Sequence, residues 1–219
     1  MTVADEFLPP TGWSCSPLRE LCASIQSGPG RRAEDKGHTR ANGGVPLVLP
    51  RHLAEQRIVT VTEEAGADPA IPGHRARTLV KYELAEGDIL LTRTGTVGRC
   101  ALVTGEHAGW LFHPNLVRLR LPGARRVSTA YLTAYLSATA ARDWIRNRTS
   151  GAVIPSLSIR TLGELPVLVP PAAEQTAIGA TLAALDAKIQ AHAEIARVTR
   201  DYRSVLADAL MTGTLPAEP

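Results

Sequence analysis

Between Pro171 and Gly213 the chain runs for about forty residues without a proline, and this stretch constrains the rest of the fold. Apolar side chains recur there at helical spacing: Ile178, Leu182, Leu185 and Ile189, then Ile195, Val198, Tyr202 and Val205. Steps of three and four residues mark a narrow coiled-coil seam rather than a broad core-facing stripe. The two series are out of register. Continuing the first would put His192, Ala196, Thr199 and Arg203 on the seam, so the pattern slips near His192, as a stammer would cause.

The ends of this helix are marked as well. Pro171 suits a first turn, where its missing N–H costs nothing, and Glu174 lies close enough to favour the positive end of the helix dipole. Gly213 followed by Pro216 reads as a stop. The predicted helix is roughly 60 Å long, more than a domain of this size needs for its own core. Gly179, among Ala177, Ala180, Ala183 and Ala184, leaves room for another helix to come close. The pattern predicts a helix that needs a partner. A hairpin folded back onto its own domain is the alternative, and no proline or glycine in mid-helix supplies its turn.

The chain has 219 residues, 44% hydrophobic and 21% charged, an ordinary composition for one globular domain with an appendage. Cys15, Cys22 and Cys100 are odd in number and form no CxxC, which argues against a disulfide framework or a zinc cluster. The acidic start, MTVADEFLPP, lacks the apolar core of a signal peptide, and no apolar run approaches the ~20 residues of a membrane span. A cytoplasmic protein with no membrane association is expected. Residues 1–171 carry 20 Lys/Arg against 15 Asp/Glu, and residues 172–219 carry 4 against 6. Of the 24 basic residues 21 are arginine, suited to phosphate and guanine, although a GC-rich genome produces the same bias.

In chain order, Leu18–Ile25 predicts a helical turn or two. The Gly-rich loop Gly28–Arg40 holds Arg31, Arg32, Lys36, His38 and Arg40, a set that suits phosphate, with a solvated loop as the alternative reading. Short strands are predicted at 45–50 and 57–62, and a surface loop at 63–73. The turn at Gly87-Asp88 enters a strand, 89–93. The segment Thr94-Gly95-Thr96-Val97-Gly98-Arg99 then joins it to a second strand, 100–103. Glycines three apart let this loop approach a ligand, but no Gly-Lys-Ser/Thr follows and the next element is a strand, so a nucleotide P-loop fails. Arg93, Thr94, Thr96 and Arg99 are candidate donors to a DNA groove. Asn115–Leu121 alternates as a strand with one basic face. Ser128 caps a predicted helix over 129–147 with Leu132, Leu136 and Ile145 inward, and Arg142, Arg146 and Arg148 stand at its end, where the dipole favours cations. A polar loop over 149–160 contributes Ser150, Ser156, Ser158 and Arg160, and a last strand, 163–171, leads into the long helix.

Several of these segments together resemble the DNA-specificity subunit of Type I restriction–modification enzymes. The resemblance is carried by Gly12-Trp13 and the stretch Leu18–Gly28, by Leu84–Leu90 with Arg93–Arg99, by Tyr131-Leu132 through Ser150–Ser158, by Pro170–Gln175 at the head of the long helix, and by Leu210–Leu215 at its end. Their order and spacing cover nearly the whole chain. The resemblance implies an α+β fold. Residues 1–170 would form a target-recognition domain with a mixed or antiparallel sheet and short helices, and residues 171–219 a long coiled-coil spacer helix with a short tail.

The implied function is a noncatalytic reader of one half of a split target in double-stranded DNA. It would hold no cofactor and would direct a separate adenine-N6 methyltransferase (M) subunit and, in complexes that carry one, a restriction (R) subunit. The usual family member has two recognition domains and two spacers where this sequence has one of each. An antiparallel homodimer through the long helix would supply the second half, and pairing with a different half-subunit would do the same. The residues agree with a noncatalytic role: there is no Asp/Asn-Pro-Pro-aromatic motif, and Glu34-Asp35-Lys36 lacks the preceding Pro-Asp of a nuclease. A coiled-coil adaptor of a related phage-defence complex, without base-specific reading, remains the alternative.

Overall fold

The computed structural model describes residues 7–30, 38–39, 43–54, 56–59, 69–124 and 126–215. The strands are β1 (Ser14–Pro17), β2 (Ser24–Ser27), β3 (Val45–Val48), β4 (Leu53–Ala54), β5 (Arg57–Ile58), β6 (Ala70–Ile71), β7 (Ile89–Thr92), β8 (Cys100–Leu102), β9 (Leu111–Phe112), β10 (Leu116–Arg120) and β11 (Pro166–Val169). The helices are α1 (Leu18–Leu21), α2 (Gly73–Ala76), α3 (Thr129–Ser137), α4 (Thr139–Arg146), α5 (Ile159–Gly163) and α6 (Ala172–Met211). This is the α+β arrangement expected from the sequence.

An antiparallel sheet of order β2-β10-β7-β8 lies at the centre, with Val117 opposite both Ser27 and Leu91. Both of its faces are buried. Ile89, Leu91, Val117 and Leu119 point into a core shared with Leu132, Leu136, Trp144, Ile145 and Val167. Leu90 and Leu116 alternate to the other face and meet Val48, Leu53 and Phe112. Burial on two sides explains why Ile89-Leu90-Leu91 is a continuous apolar run rather than an alternating one. Each such leucine or isoleucine contributes roughly 1.5–3 kcal/mol. A second sheet, β6-β3-β9, is mixed, since β3 runs antiparallel to β6 and parallel to β9. β1 pairs antiparallel with β11, bringing an early segment of the chain beside the strand that precedes α6.

Several expectations about these elements need correction. Ser24 and Ile25, expected in a helical turn, open strand β2, and Ala70–Ile71, expected in a surface loop, form the buried strand β6. The helix predicted over 129–147 is two helices, broken at Ala138, whose φ of −67° and ψ of 150° are extended. The hydroxyls of Thr133 and Ser137 donate to carbonyls four residues back, Thr129 at 2.8 Å and Thr133 at 3.1 Å, in competition with the helical amides. The Tyr131 and Tyr135 hydroxyls meanwhile tie α3 to the Leu168 and Pro166 carbonyls of β11. The basic face expected for β10 is turned inward. Arg118 is buried, and Arg120 binds the carboxylate of Asp88, which is itself buried.

The chain divides into two compact units, Met1–Gly179 and Ala180–Pro219. The first turns of α6 belong to the first unit. The buried side chain of Gln175 accepts from the Ser128 amide (2.8 Å) and donates to the Arg126 and Pro170 carbonyls (2.8 and 2.9 Å). Trp13 Nε1 donates to Glu174 Oε2 at 2.9 Å. Gly179 does admit a neighbouring helix, and that neighbour is α3: a Cβ at Gly179 would lie 3.5 Å from Ala130 Cβ. Ile178 packs against the larger core.

In the second unit Leu182, Leu185, Ile189, Ile195, Val198, Tyr202 and Val205 are all exposed. Arg197 pairs with Glu194 (2.6 Å) and Asp201 (2.7 Å), one turn away on either side. The backbone stays helical through His192, so the slip of the apolar pattern involves no break in α6.

Candidate nucleic-acid interface

The hairpin between β7 and β8 is built around a buried threonine. Thr92 Oγ1 donates to the Thr96 carbonyl and accepts from the Arg99 amide (3.0 Å), so one side chain closes the turn from inside. Gly95 and Gly98 take φ of 81° and 91°, a region that β-branched or bulky residues avoid. Gly98 is also packed, since a Cβ there would meet Ile145 of α4 at 3.5 Å. The turn leaves Thr96 and Arg99 exposed and Arg93 and Thr94 half-buried. Arg93 Nε is buried with no hydrogen-bond partner among the described residues.

A second loop joins this one. Ser150 and Ser156 exchange backbone hydrogen bonds, 2.9 and 2.7 Å. Thr94 forms an antiparallel bridge with Ser156, Gly95 N donates to the Pro155 carbonyl (2.9 Å), and Leu157 N donates to the Arg93 carbonyl (2.8 Å). Leu157 is buried and pins the loop from below. The structure thus brings Arg93, Thr94, Ser150 and Ser156 together from two distant stretches of sequence.

Arg99, at the far end of the hairpin, and the remaining candidates stand apart from that junction. Arg99 lines an open recess of about 540 Å³ with Leu53, Ala54, Gln56, Ser137 and Arg142. Ser158 caps α5, its Oγ accepting from the Thr161 amide (2.9 Å) and lying 2.7 Å from the Thr161 hydroxyl. Arg160 stands exposed on α5, 3.9 Å from Glu164, and lines a different recess of about 590 Å³ with Arg19 and Cys22. Arg31, Arg32, Lys36 and Arg40 lie outside the described residues. At the edge of that segment the Gly30 carbonyl accepts from Arg75 Nη2 at 2.6 Å.

Three further arginines adjoin the paired loops, and sequence reasoning had referred them to the helix dipole alone. Arg142 shares the recess with Arg99. Arg146 pairs with Asp143 at 2.9 Å, and the Arg148 guanidinium lies 4.1 Å above the Trp144 ring. Their signal in the sequence was recurrence at 142, 146 and 148, directly ahead of the Ser150 loop. Burial pushes the Cys22 thiol up to about 12 and the Cys100 thiol up to about 11, so neither is a ready thiolate at neutral pH. Among the described residues no His, Cys, Asp and Glu side chains group as a metal site, and no helix is long and apolar enough to cross a membrane.

A family model described as the Type I restriction modification DNA specificity domain matches residues 10–200. The chain belongs to this family. Solved structures agree on the fold. A Type I R-M system studied for its complex assembly and conformational transition superposes with a TM-score of 0.63 at 18% identity, covering 95% of this chain and 48% of that one. The Type I restriction-modification S subunit from M. genitalium gives 0.63 at 16% identity, covering 91% and 46%. The HsdS subunit from Thermoanaerobacter tengcongensis gives 0.57 at 17%, covering 95% and 51%. This specificity-domain chain therefore spans about half the length of the solved structures it matches. Comparison with curated proteins gives no match.

Proposed function

We propose that this chain is a sequence-specific DNA-binding specificity subunit that directs a separate adenine-N6 methyltransferase to a bipartite target. The observation that carries the reading is the pairing of the Arg93–Arg99 and Ser150–Ser156 loops through Thr94 and Ser156. Two loops held by backbone bonds present hydroxyls and arginines from one rigid base. Most of the arginines bind phosphate and set the register, and the few that reach base edges specify sequence. The chain contributes no cofactor and no catalytic group; S-adenosylmethionine belongs to the methyltransferase.

The second half of the bipartite target is read by a second copy. The seven large exposed side chains from Leu182 to Val205 leave an apolar stripe in water, and a two-fold antiparallel pair buries it with a single repeated patch. The target is then a split palindrome. Co-expression with the neighbouring methyltransferase, followed by mapping of methylated adenines, tests the reading. A two-part methylation motif that disappears without this chain is expected. Methylation by the isolated chain, or a motif unchanged in its absence, defeats it.

A further inference from the structure

The loop between Ser150 and Ser156 carries its apolar residues on the outside. Val153 is 91% exposed and Ile154 is 61% exposed. The backbone beneath them is nevertheless tied down, by the reciprocal Ser150–Ser156 bonds and by Gly95 N on the Pro155 carbonyl. Gly151 makes the reversal possible: its φ is +102°, and a Cβ there would fall 2.4 Å from the Ile154 carbonyl oxygen. Two branched aliphatic side chains are thus held in water on a stapled loop, where they add nothing to the core.

The charge of the adjoining segments is almost all of one sign. Arg93 and Arg99 lie on the partner loop, and Arg142, Arg146 and Arg148 precede this one. Asp143 is the single acid in the same segments, and Arg146 already pairs with it. An apolar tip on a loop whose adjoining segments carry five arginines and one acid fits a ligand whose apolar surface is bordered by anions. Stacked bases between phosphates have that character. Five arginines against one acid match the uniform negative charge of a phosphate backbone better than the mixed charges of a protein surface.

We propose that Val153 and Ile154 form an apolar wedge that enters a DNA groove and contacts base surface, while the neighbouring arginines hold phosphates. That surface is offered by a thymine C5-methyl group or by a base face at an opened stacking step. The inference rests on the DNA-reading function proposed above and adds a contact of a different kind, with its own thermodynamic signature. Removing an apolar contact releases no counterion. Affinity therefore falls by the same factor at every salt concentration, whereas losing a phosphate-binding arginine changes the slope.

The test uses the full chain with its methyltransferase, a duplex carrying the mapped methylation motif, and fluorescence anisotropy across a salt series. Circular dichroism checks that the V153S/I154S double variant, altered only at exposed positions, keeps its fold. The expected result is a Kd raised about tenfold with an unchanged salt slope. Replacing thymine by uracil in the motif, or placing 2-aminopurine in it, identifies which base surface is touched: wild type responds and the double variant does not. An unchanged Kd, or a changed slope, overturns the wedge. Loss of methyltransferase copurification with DNA affinity intact also overturns it and assigns the tip to protein. A wild-type complex that shows no sequence-selective binding defeats the function reading itself, a failure distinct from that of the wedge alone.

Discussion

The Asp88 carboxylate accepts two hydrogen bonds from the Arg120 guanidinium, Nε to Oδ1 at 2.7 Å and Nη2 to Oδ2 at 2.6 Å. Asp88 Oδ2 also accepts from the Ala85 amide at 2.8 Å, so one buried carboxylate fixes both the turn into β7 and the neighbouring strand β10. Arg118 lies alongside, donating to the Glu83 carbonyl (2.9 Å) and to Gln26 Oε1 (2.8 Å). Desolvation pulls the Arg118 guanidinium below its ordinary range, the nearby Arg120 acts in the same direction, and Asp88 opposes both.

Asp88→Asn leaves this pair of arginines without a counter-charge. Breaking a buried ion pair from one side costs about 3 kcal/mol, and urea unfolding followed by circular dichroism measures it. A loss of under about 0.5 kcal/mol would mean that the arginines re-solvate freely and that the carboxylate is not structural.

Arg99 stands exposed where the β7–β8 hairpin meets the recess shared with Arg142. Arg99→Ala is expected to weaken DNA binding by about 1–3 kcal/mol if the side chain reads a base, relaxing one target position. If it binds phosphate, the variant lowers the salt slope by about one and leaves the motif unchanged. Unchanged affinity together with an unchanged methylation motif for Arg93→Ala and Arg99→Ala would remove this loop from the interface.

Leu185 lies on the exposed stripe of α6, 52% accessible. Light scattering of the purified chain at micromolar concentration should give the mass of a dimer. Leu185→Asp places a charge in the seam and should yield monomers with unchanged secondary structure. A wild-type monomer under those conditions would end the homodimer proposal.

His107 is buried, its Nδ1 lies 2.8 Å from the Thr104 hydroxyl, and its ring meets Trp110 edge-on at 4.9 Å. Desolvation lowers its pKa from 6.5, with Glu106 opposing. The unfolded chain therefore takes up the proton more readily. The stability contributed by neutral His107 is fully present above pH 6.5 and is lost as pH falls through the folded value. Urea midpoints at neutral and mildly acidic pH should converge for wild type and His107→Gln in their acid limb, the variant losing less on acidification. An equal loss in both would assign the pH dependence to other groups.

The sequence by itself determined what depends on neighbours along the chain. The run from Pro171 to Gly213 specified one long helix because apolar spacing, the proline at its head and the glycine at its end are all local signals, and α6 spans Ala172–Met211 accordingly. The periodic strands at 89–92, 100–102 and 116–120 were legible for the same reason, as was the Ser128 cap. Tertiary structure decided what depends on residues far apart. Alternation in β10 could show a basic face but not that Asp88 would draw it inward. Helix periodicity ran through Ala138, yet α3 stops there, with the hydroxyls of Thr133 and Ser137 bonded back to its own carbonyls and Cys100 Sγ 3.2 Å from Ser137 Oγ. The two stretches nominated as loops carried no mark of each other. They meet because hydrogen bonds at Thr94, Gly95, Pro155 and Ser156 join segments that only a packed core brings within reach, and such pairings leave no period in a sequence.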